Sequence, residues 1–218
     1  MDLLRFPSKL TGLAWKSSKA VRWQVTSQRS GSKLRTFTSQ TIPIVEITAK
    51  LNRLTDDEAR ELLGFVISVK GSASPFLWKD PEDYKAECKI VHDDNYGWTD
   101  KTHWKVDTSS MLNHGALHID KMDLYTGKSY IESSHYTLDG VNLVLDGSTS
   151  YSDLSARFTY SWVVHFKSDS FTVQKEFYNF NRSKEFTLET WAGIVYQPMK
   201  TSRMKSTCAG NTAKWPSM

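Results

Sequence analysis

The sequence predicts a mainly β fold, a sandwich or barrel, with one flanking α-helix at about residues 55–70. Many short segments alternate apolar and polar residues, which is the two-residue period of a half-buried strand. Turn signals separate these segments at short intervals, among them TGK at 126–128 and LDGVN at 138–142. Only one window changes to helical spacing. Many strands with a single helix are typical of a sandwich or barrel.

The N-terminal quarter predicts several strands. Val21, Trp23 and Val25 alternate with polar residues, so a half-buried strand is expected there. The stretch SQRSGSK, with Gly31, predicts a turn. The segments LRTFT and IVEIT predict further strands, separated near Pro43.

The helix has clear start and stop signals. Thr55 is the expected N-cap, and Glu58 three residues later completes a capping box. Acidic residues fill the first turn, where the helix dipole favours them. Lys70 and Gly71 indicate the end. The apolar stripe expected to face a sheet consists of Ala59, Leu62, Leu63 and Val66.

The rest of the chain returns to extended segments. They are AECKIV, THWKVD, ALHIDKMDLY, SYIESSHYTLD, VNLVLDG, ARFTYSWVVHF, TVQKEFYNF and KEFTLETWAGIVYQP. We therefore expect a single β-rich domain over residues 1–198. Residues 199–218 are basic and without periodicity, which predicts a flexible or partner-ordered tail.

Charge is distributed unevenly along the chain. The net charge is +4, yet residues 1–53 hold ten Lys/Arg against two Asp/Glu, and residues 199–218 hold four Lys/Arg and no acid. Basic ends of this kind suit an acidic protein surface or nucleic acid. No apolar run reaches the roughly 18–20 residues of a membrane helix, and no signal peptide is apparent, so synthesis in the cytoplasm is expected.

Motif searches predict no enzyme, cofactor or metal site. GxSxG, Walker and GxGxxG patterns are absent, although the two carboxylates of a glycosidase have no fixed spacing and stay an open alternative. His114 and His118 are four residues apart but lie in a strand-like segment, and HDDNYGWTD (92–100) does not match a calcium loop. Cys88 and Cys208 are expected to be free thiols.

The stretch SPFLWKDPEDYKAE (74–87) joins an aromatic run to a charged turn. Phe76 and Trp78 alternate and are expected to share a buried face, with Leu77 and Lys79 pointing the other way. Pro81 predicts a turn in which Asp80 and Asp83 accept backbone N–H bonds, and Tyr84 packs its ring back. These carboxylates therefore indicate a structural corner and not a catalytic loop.

This corner carries a resemblance to a phage family, the distal tail or minor tail proteins of long-tailed phages and gene transfer agents. The family has an initial FP element, a Trp-bearing strand, a helix ending in Gly, a KDPxDY-like motif and a PVRFDSD-like strand. The matching residues are Phe6, Pro7, Trp23, Gly71, Phe76, Trp78, Lys79, Asp80, Pro81, Asp83, Tyr84, Phe166, Ser168 and Asp169. The chain departs from the pattern at Val164-His165 and at Pro75-Phe76-Leu77.

The resemblance implies a virion structural protein with a tail-tube-like fold and no enzymatic activity. Such a protein forms a homo-oligomeric ring, usually a hexamer and alternatively a trimer, at the baseplate or tail tip. Its implied partners are the tail tube protein, the tip hub and the tape-measure protein, with viral DNA passing through the lumen without sequence recognition and no membrane. A receptor- or carbohydrate-binding module is the alternative, based on Tyr96, Trp98 and Trp104.

Overall fold

A computed structural model describes residues 3–11, 14–23, 25–31, 33–38, 43–96, 100–113, 116–146 and 153–191. The basic tail at 199–218 lies outside these residues. Two helices are present in them, α1 (Ser8–Thr11) and α2 (Asp56–Ser68). The strands are β1 (Leu4–Arg5), β2 (Ala14–Arg22), β3 (Val25–Ser30), β4 (Lys33–Thr38), β5 (Ile44–Leu51), β6 (Phe76–Trp78), β7 (Lys85–His92), β8 (His103–Val106), β9 (Leu117–Thr126), β10 (Ser129–Ile131), β11 (Tyr136–Asp139), β12 (Asn142–Leu145), β13 (Leu154–Phe166), β14 (Val173–Phe177), β15 (Phe180–Ser183) and β16 (Phe186–Thr190).

The 13-residue strand β13 organises the main sheet. Along one edge it pairs first with β7 and then with β6, and along the other edge first with β9 and then with β16. The sheet extends from β7 through β8 and β12 to β11, and from β16 through β5 to β2. Its burial alternates along the strand, as a half-buried strand requires, and becomes continuous near Tyr160–Trp162.

The end strand β11 lies close to β9. The Tyr136 hydroxyl of β11 donates a hydrogen bond of 2.9 Å to the Met122 carbonyl of β9. The sheet therefore curls upon itself around an apolar interior. Buried residues from both halves of the chain join one hydrophobic core. The predicted fold class, a mainly β protein with one substantial flanking helix, is confirmed.

Helix α2 begins at the predicted N-cap. The Thr55 hydroxyl accepts from the Glu58 N–H at 3.2 Å, and the Glu58 carboxylate accepts from the Thr55 N–H at 2.7 Å. Ala59, Leu62 and Phe65 are buried, but Leu63 is 40% exposed. The predicted stripe was therefore wrong at Leu63, since the helix turns about 100° per residue and Leu63 lies beside the buried face.

Two predicted extended segments are interrupted by turns. SYIESSHYTLD divides into β10 and β11 at a 3₁₀ turn, Ser133–His135. TVQKEFYNF folds back as the β14–β15 hairpin, with Asn179 at φ 55° in its turn. This hairpin forms a separate two-stranded sheet. A polar residue that tolerates the left-handed conformation supplied the turn, which periodicity alone could not reveal.

Strands β3 and β4 form an arm, defined here as Val25–Ser30 and Lys33–Thr38. Within the described residues they pair only with each other, around a turn in which Gly31 has φ 61°. Val21 lies opposite Val45 in the β2–β5 register, yet Val45 is 1% exposed and Val21 is 52% exposed. The predicted strands are confirmed, but Val21, Trp23 and Val25 are about half exposed.

Candidate functional site

The corner begins with a fully buried strand. β6 lies between β1, which it pairs with in parallel, and β13, which it pairs with antiparallel. Phe76, Leu77 and Trp78 are all at most 5% exposed. The alternation predicted for this stretch underestimates its burial, because a strand covered on both faces places all its side chains inside. Lys79 is exposed at the end of the strand.

Aromatic side chains from distant parts of the sequence meet at β6. Phe6 lies 4.7 Å from Trp78 and 5.3 Å from Phe65, measured between ring centroids. Phe76 lies 5.0 Å from Phe65 and 4.9 Å from Phe166. The first three of these are edge-to-face pairs, which contribute about 0.5–1.5 kcal/mol each beyond their buried area. The structure thus brings four of the motif's aromatic residues into one cluster.

The FP element is attached to the same strand through the backbone. The Phe6 N–H donates to the Leu77 carbonyl at 2.8 Å. The Pro7 carbonyl accepts from the Leu10 N–H at 3.0 Å and so starts the short helix α1. Phe6 and Leu10 are both buried. The N-terminal motif therefore completes the corner.

Asp80 closes the turn as predicted. Its Oδ1 accepts the Glu82 N–H at 2.9 Å, across the exposed Pro81. Asp80 is only 3% exposed, and its Oδ2 lies 2.8 Å from Lys19 Nζ. Burial alone would lower the pKa of Lys19, but Asp80, together with Glu82 and Asp83, outweighs burial and raises that pKa. A lysine from β2 thus neutralises the buried carboxylate, a partner that sequence reasoning did not predict.

Asp83 links the corner to the central strand. Its carboxylate accepts a hydrogen bond from the Tyr160 hydroxyl, rather than the backbone N–H that the turn sequence predicts. Its carbonyl accepts from Trp162 Nε1 at 3.0 Å. Burial, and then the Asp83 carboxylate, raise the pKa of Tyr160 far above its usual value. The two aromatic partners stand two residues apart in ARFTYSWVVHF, the spacing of one strand face.

Tyr84 is half-buried beside the turn. Its carbonyl accepts from the Tyr160 N–H at 2.9 Å. The ammonium groups of Lys79 and Lys85 lie 5.2 and 5.0 Å from its ring centroid. Cation–π contacts at exposed sites contribute about 0.5–1 kcal/mol. The motif lysine therefore contacts the motif tyrosine.

Gly71, which follows α2, lies against Asp169 of the PVRFDSD-like motif segment. Gly71 has φ 64°, and a Cβ placed there would lie 3.2 Å from Cα of Asp169. Asp169 accepts from the Ser72 N–H at 3.2 Å and from the Ser72 hydroxyl, and these bonds lower its pKa. Ser168 accepts the Ser170 N–H at 3.2 Å. Both the positive φ and the close approach favour a glycine here.

Trp23 does not join the corner. It is 47% exposed at the junction of β2 with the arm. The other motif positions lie on β6 or near it, whereas the Trp23 side chain is at the protein surface.

Two histidine–aspartate pairs lie elsewhere. His103 Nδ1 is 2.7 Å from Asp100, and His135 Nδ1 is 2.7 Å from Asp146. Asp100 also accepts the N–H and hydroxyl of Thr102, and these bonds first, then His103, hold its pKa well below its usual range. The Asp146 carboxylate raises the pKa of His135. Both pairs connect strands to turns.

The aromatic residues considered for sugar binding differ in their exposure to solvent. Tyr96 is 47% exposed and stacks on His103, with ring centroids 3.7 Å apart. Trp104 packs against the core and donates Nε1 to the Lys101 carbonyl at 2.9 Å. Trp98 lies outside the described residues.

Among the residues that the structure covers, no group of three His, Cys, Asp or Glu side chains is arranged to hold a metal ion. His118 is exposed, and His114 falls outside that part of the chain. Cys88 is buried and free, as predicted, and Cys208 also lies beyond the described ranges. The described helices include none with the length and apolar character needed to span a membrane.

No protein-family model matches this chain, and no curated protein matches it in sequence. The resemblance to distal tail proteins therefore stands on the sequence motif alone.

Proposed function

We propose that this chain is a virion structural protein, a ring-forming distal tail component that joins a phage tail tube to the tip hub. The observation that carries the proposal is the assembly of the motif at one place. Phe6, Trp78 and Phe166 are up to 160 positions apart, yet they belong to one aromatic cluster around β6. Gly71 and Asp169, from two further motif elements, meet beside it.

Large exposed apolar side chains support a role in assembly. Trp23, Ile67, Phe177 and Tyr178 are 47%, 76%, 71% and 91% exposed. Exposed aromatic and aliphatic groups of this size commonly mark protein contacts. A ring subunit needs two such surfaces, one for each neighbour.

The proposed partners follow from the position in the tail. Copies of this chain form the ring, a hexamer or a trimer. The tail tube protein lies on one side and the tip hub on the other, with the tape-measure protein and viral DNA in the lumen. The basic segments at 1–53 and 199–218 are then suited to acidic surfaces on these neighbours. The proposed location is the tail of the virion, after synthesis in the host cytoplasm.

Negative-stain electron microscopy tests the proposal. Purified protein, alone and mixed with the tail tube protein of the same phage, should show rings or tubes capped at one end. A Trp78→Ala variant, whose corner is disrupted, serves as the control that should neither form rings nor cap tubes. Monomers with undecorated tubes would contradict the proposal.

A receptor- or carbohydrate-binding module is the second candidate. The observation that favours it is Tyr96, whose ring stacks on His103 with one face and is 47% exposed. Flat exposed rings of this kind also bind sugars by stacking. A glycan array, read for wild type against Tyr96→Ala, distinguishes the candidates: binding that the variant loses supports this module, and the absence of wild-type binding removes it.

A further inference from the structure

The outermost strand of the main sheet, β2, has a single neighbour. It pairs with β5 and, within the described residues, with no other strand. The side chains of residues 17–22 are exposed except for Lys19, which is half-buried. Val21 is 52% exposed although it lies opposite the buried Val45. Burial of apolar surface therefore contributes little to the attachment of this half of β2.

The arm that follows β2 brings it no support from other strands. As far as the structure describes them, β3 and β4 pair only with each other, and residues 25–29 are exposed. The chain is anchored on both sides, because Leu10 before β2 and Ile47 in β5 are at most 1% exposed. Residues 17–22 and the arm, here called the edge segment, therefore lie between two anchors in the core.

Two groups of ion pairs hold the edge segment to the protein. Lys19 Nζ lies 2.8 Å from the buried Asp80 carboxylate. Arg22 contacts two glutamates, with Nε 2.9 Å from Glu46 and Nη2 3.1 Å from Glu189. Because Lys19 and Arg22 are three residues apart in a strand, their side chains leave opposite faces of it. In addition to the backbone ladder, the edge segment is thus held on both faces by charge.

The Arg22 contact can be broken without leaving bare carboxylates. Glu46 and Glu189 lie opposite each other in the β5–β16 ladder, and their side chains are 18% and 13% exposed. Lys167 Nζ lies 2.8 Å from Glu46 and 3.3 Å from Glu189, and Lys167 follows β13, not β2. Lys167 therefore keeps both glutamates paired when Arg22 departs, which lowers the free energy needed for opening.

We infer that the edge segment opens from β5 as one unit while the rest of the sheet stays folded, and that the ion pairs of Lys19 and Arg22 control this opening. Openings of this kind take place in segments with few buried apolar contacts and exposed backbone hydrogen bonds. The opened state leaves β5 with an unpaired edge, which is a template for another extended segment. The inference goes beyond the proposed function and does not depend on ring formation.

Strand β5 contains an internal comparison for this opening. The Val45 N–H donates to the Thr190 hydroxyl at 3.0 Å, so it points toward β16 and away from β2. Successive N–H groups of a strand point to opposite neighbours, and ladders extend along β5 on both sides. The β16-facing amides therefore include Ile47 and Ala49, and the β2-facing amides include Glu46 and Thr48.

Amide hydrogen exchange followed by NMR measures the opening in wild type, at a concentration where the protein is monomeric. After correction for intrinsic rates, the two β2-facing amides should share one opening equilibrium and exchange roughly tenfold or more faster than the β16-facing amides. Urea should accelerate both β2-facing amides equally. Four amides with one common rate would overturn the inference, because β2 would then leave only on global unfolding. Unequal rates without urea dependence would also overturn it, since they indicate fraying of single bonds.

Arg22→Met tests the control by ion pairs. The opened state lacks the Arg22 contacts, so the variant should accelerate exchange of the β2-facing amides roughly fivefold. Arg157→Met is the matched control, because Arg157 pairs with Glu87 at 3.0 Å within the part of the sheet that stays folded. It should leave the β2-facing amides at their wild-type rates. Unchanged rates in Arg22→Met, or equal acceleration in both variants, would refute the inference.

Acid provides an independent test of the ionic contacts. The other charged groups that face them are Glu82 and Asp83 near Lys19, and Lys167 and His165 near Glu189. Against the effect of burial, Lys167 and then Arg22 lower the pKa of Glu46, so this stabilisation is present above the ordinary glutamate pKa, about 4.3, and is lost as pH falls through the lower folded value. Exchange of the β2-facing amides, corrected for intrinsic rates, should therefore rise between about pH 6 and about pH 3 in wild type, and less in Arg22→Met. An equal rise in both proteins would rule out control of the opening by Arg22.

Discussion

The corner and the arm are built from similar residues but have opposite surroundings. Trp78 is 2% exposed in the corner, and Trp23 is 47% exposed beside the arm. The corner's Asp80 has Lys19 at 2.8 Å, whereas Arg29 of the arm has no ionic partner among the described residues. The buried groups of the corner are covered and paired within the chain, whereas Trp23 and Val25 are about half exposed. Groups that are satisfied internally stabilise the fold, and groups left exposed are available for assembly.

Breaking the corner at Trp78 should have the largest effect. Trp78→Ala removes a fully buried ring that contacts Phe6 and leaves a cavity, so the free energy of unfolding should fall by about 3–5 kcal/mol. Urea denaturation monitored by circular dichroism measures the change. A loss below about 1 kcal/mol would contradict the structural role of the corner.

Removing the lysine that neutralises Asp80 should have the next largest effect. Lys19→Met leaves a buried carboxylate unpaired and should cost about 2–3 kcal/mol, less than a fully buried pair because the Lys19 side chain is 20% exposed. Adding Asp80→Asn, which keeps an acceptor for the Glu82 N–H, should recover part of the loss. No recovery in the double variant would mean that the charge of Asp80 is not the cause.

The Tyr160–Asp83 bond should contribute less. Tyr160→Phe deletes only the hydroxyl, and the expected loss is about 1–2 kcal/mol, since the bond ends on a carboxylate. A double-mutant cycle with Asp83→Asn isolates the coupling between the two side chains. Strictly additive losses would show that the two groups act independently.

Low pH should weaken the hydrogen bonds that Ser72 donates to Asp169. The Ser72 bonds lower the pKa of Asp169 in the folded state, so the stabilisation is present above the ordinary aspartate pKa, about 3.9, and is lost as pH falls through the lower folded value. The stability difference between wild type and Asp169→Asn should therefore shrink below about pH 4. A difference that is constant down to pH 2 would contradict this account.

The smallest effect on the isolated chain is expected at Trp23. Trp23→Ala should change the free energy of unfolding by no more than about 0.5 kcal/mol, because the side chain is largely uncovered. The measurement is made at concentrations where the protein is monomeric. A loss approaching that of Trp78→Ala would remove the distinction between the arm and the corner.

Local signals in the sequence predicted much of the fold. The Thr55–Glu58 capping box predicted the start of α2, and ARFTYSWVVHF was predicted to be a strand. The turn at Asp80 was also predicted, because an aspartate next to a proline bonds its own backbone two residues on. These features depend on residues close together in the chain.

Partners from distant segments were not predictable in the same way. Lys19 against Asp80 and Tyr160 against Asp83 join residues 61 and 77 positions apart, and no local pattern specifies such pairs. The exposure of Leu63 was missed because the helical period defines a broad apolar face without showing how far the sheet covers it.

The sequence by itself determined the β class, the helix with its cap, and the corner turn, because propensity, periodicity and capping act over a few residues. The tertiary structure alone decided which aromatic residues are buried. Trp78 and Trp23 both stand in alternating segments, but only Trp78 lies where β13, Phe6 and α2 converge to exclude water. Burial is a property of layers packed together, and a strand cannot specify whether its own chain or a neighbouring copy covers its apolar face.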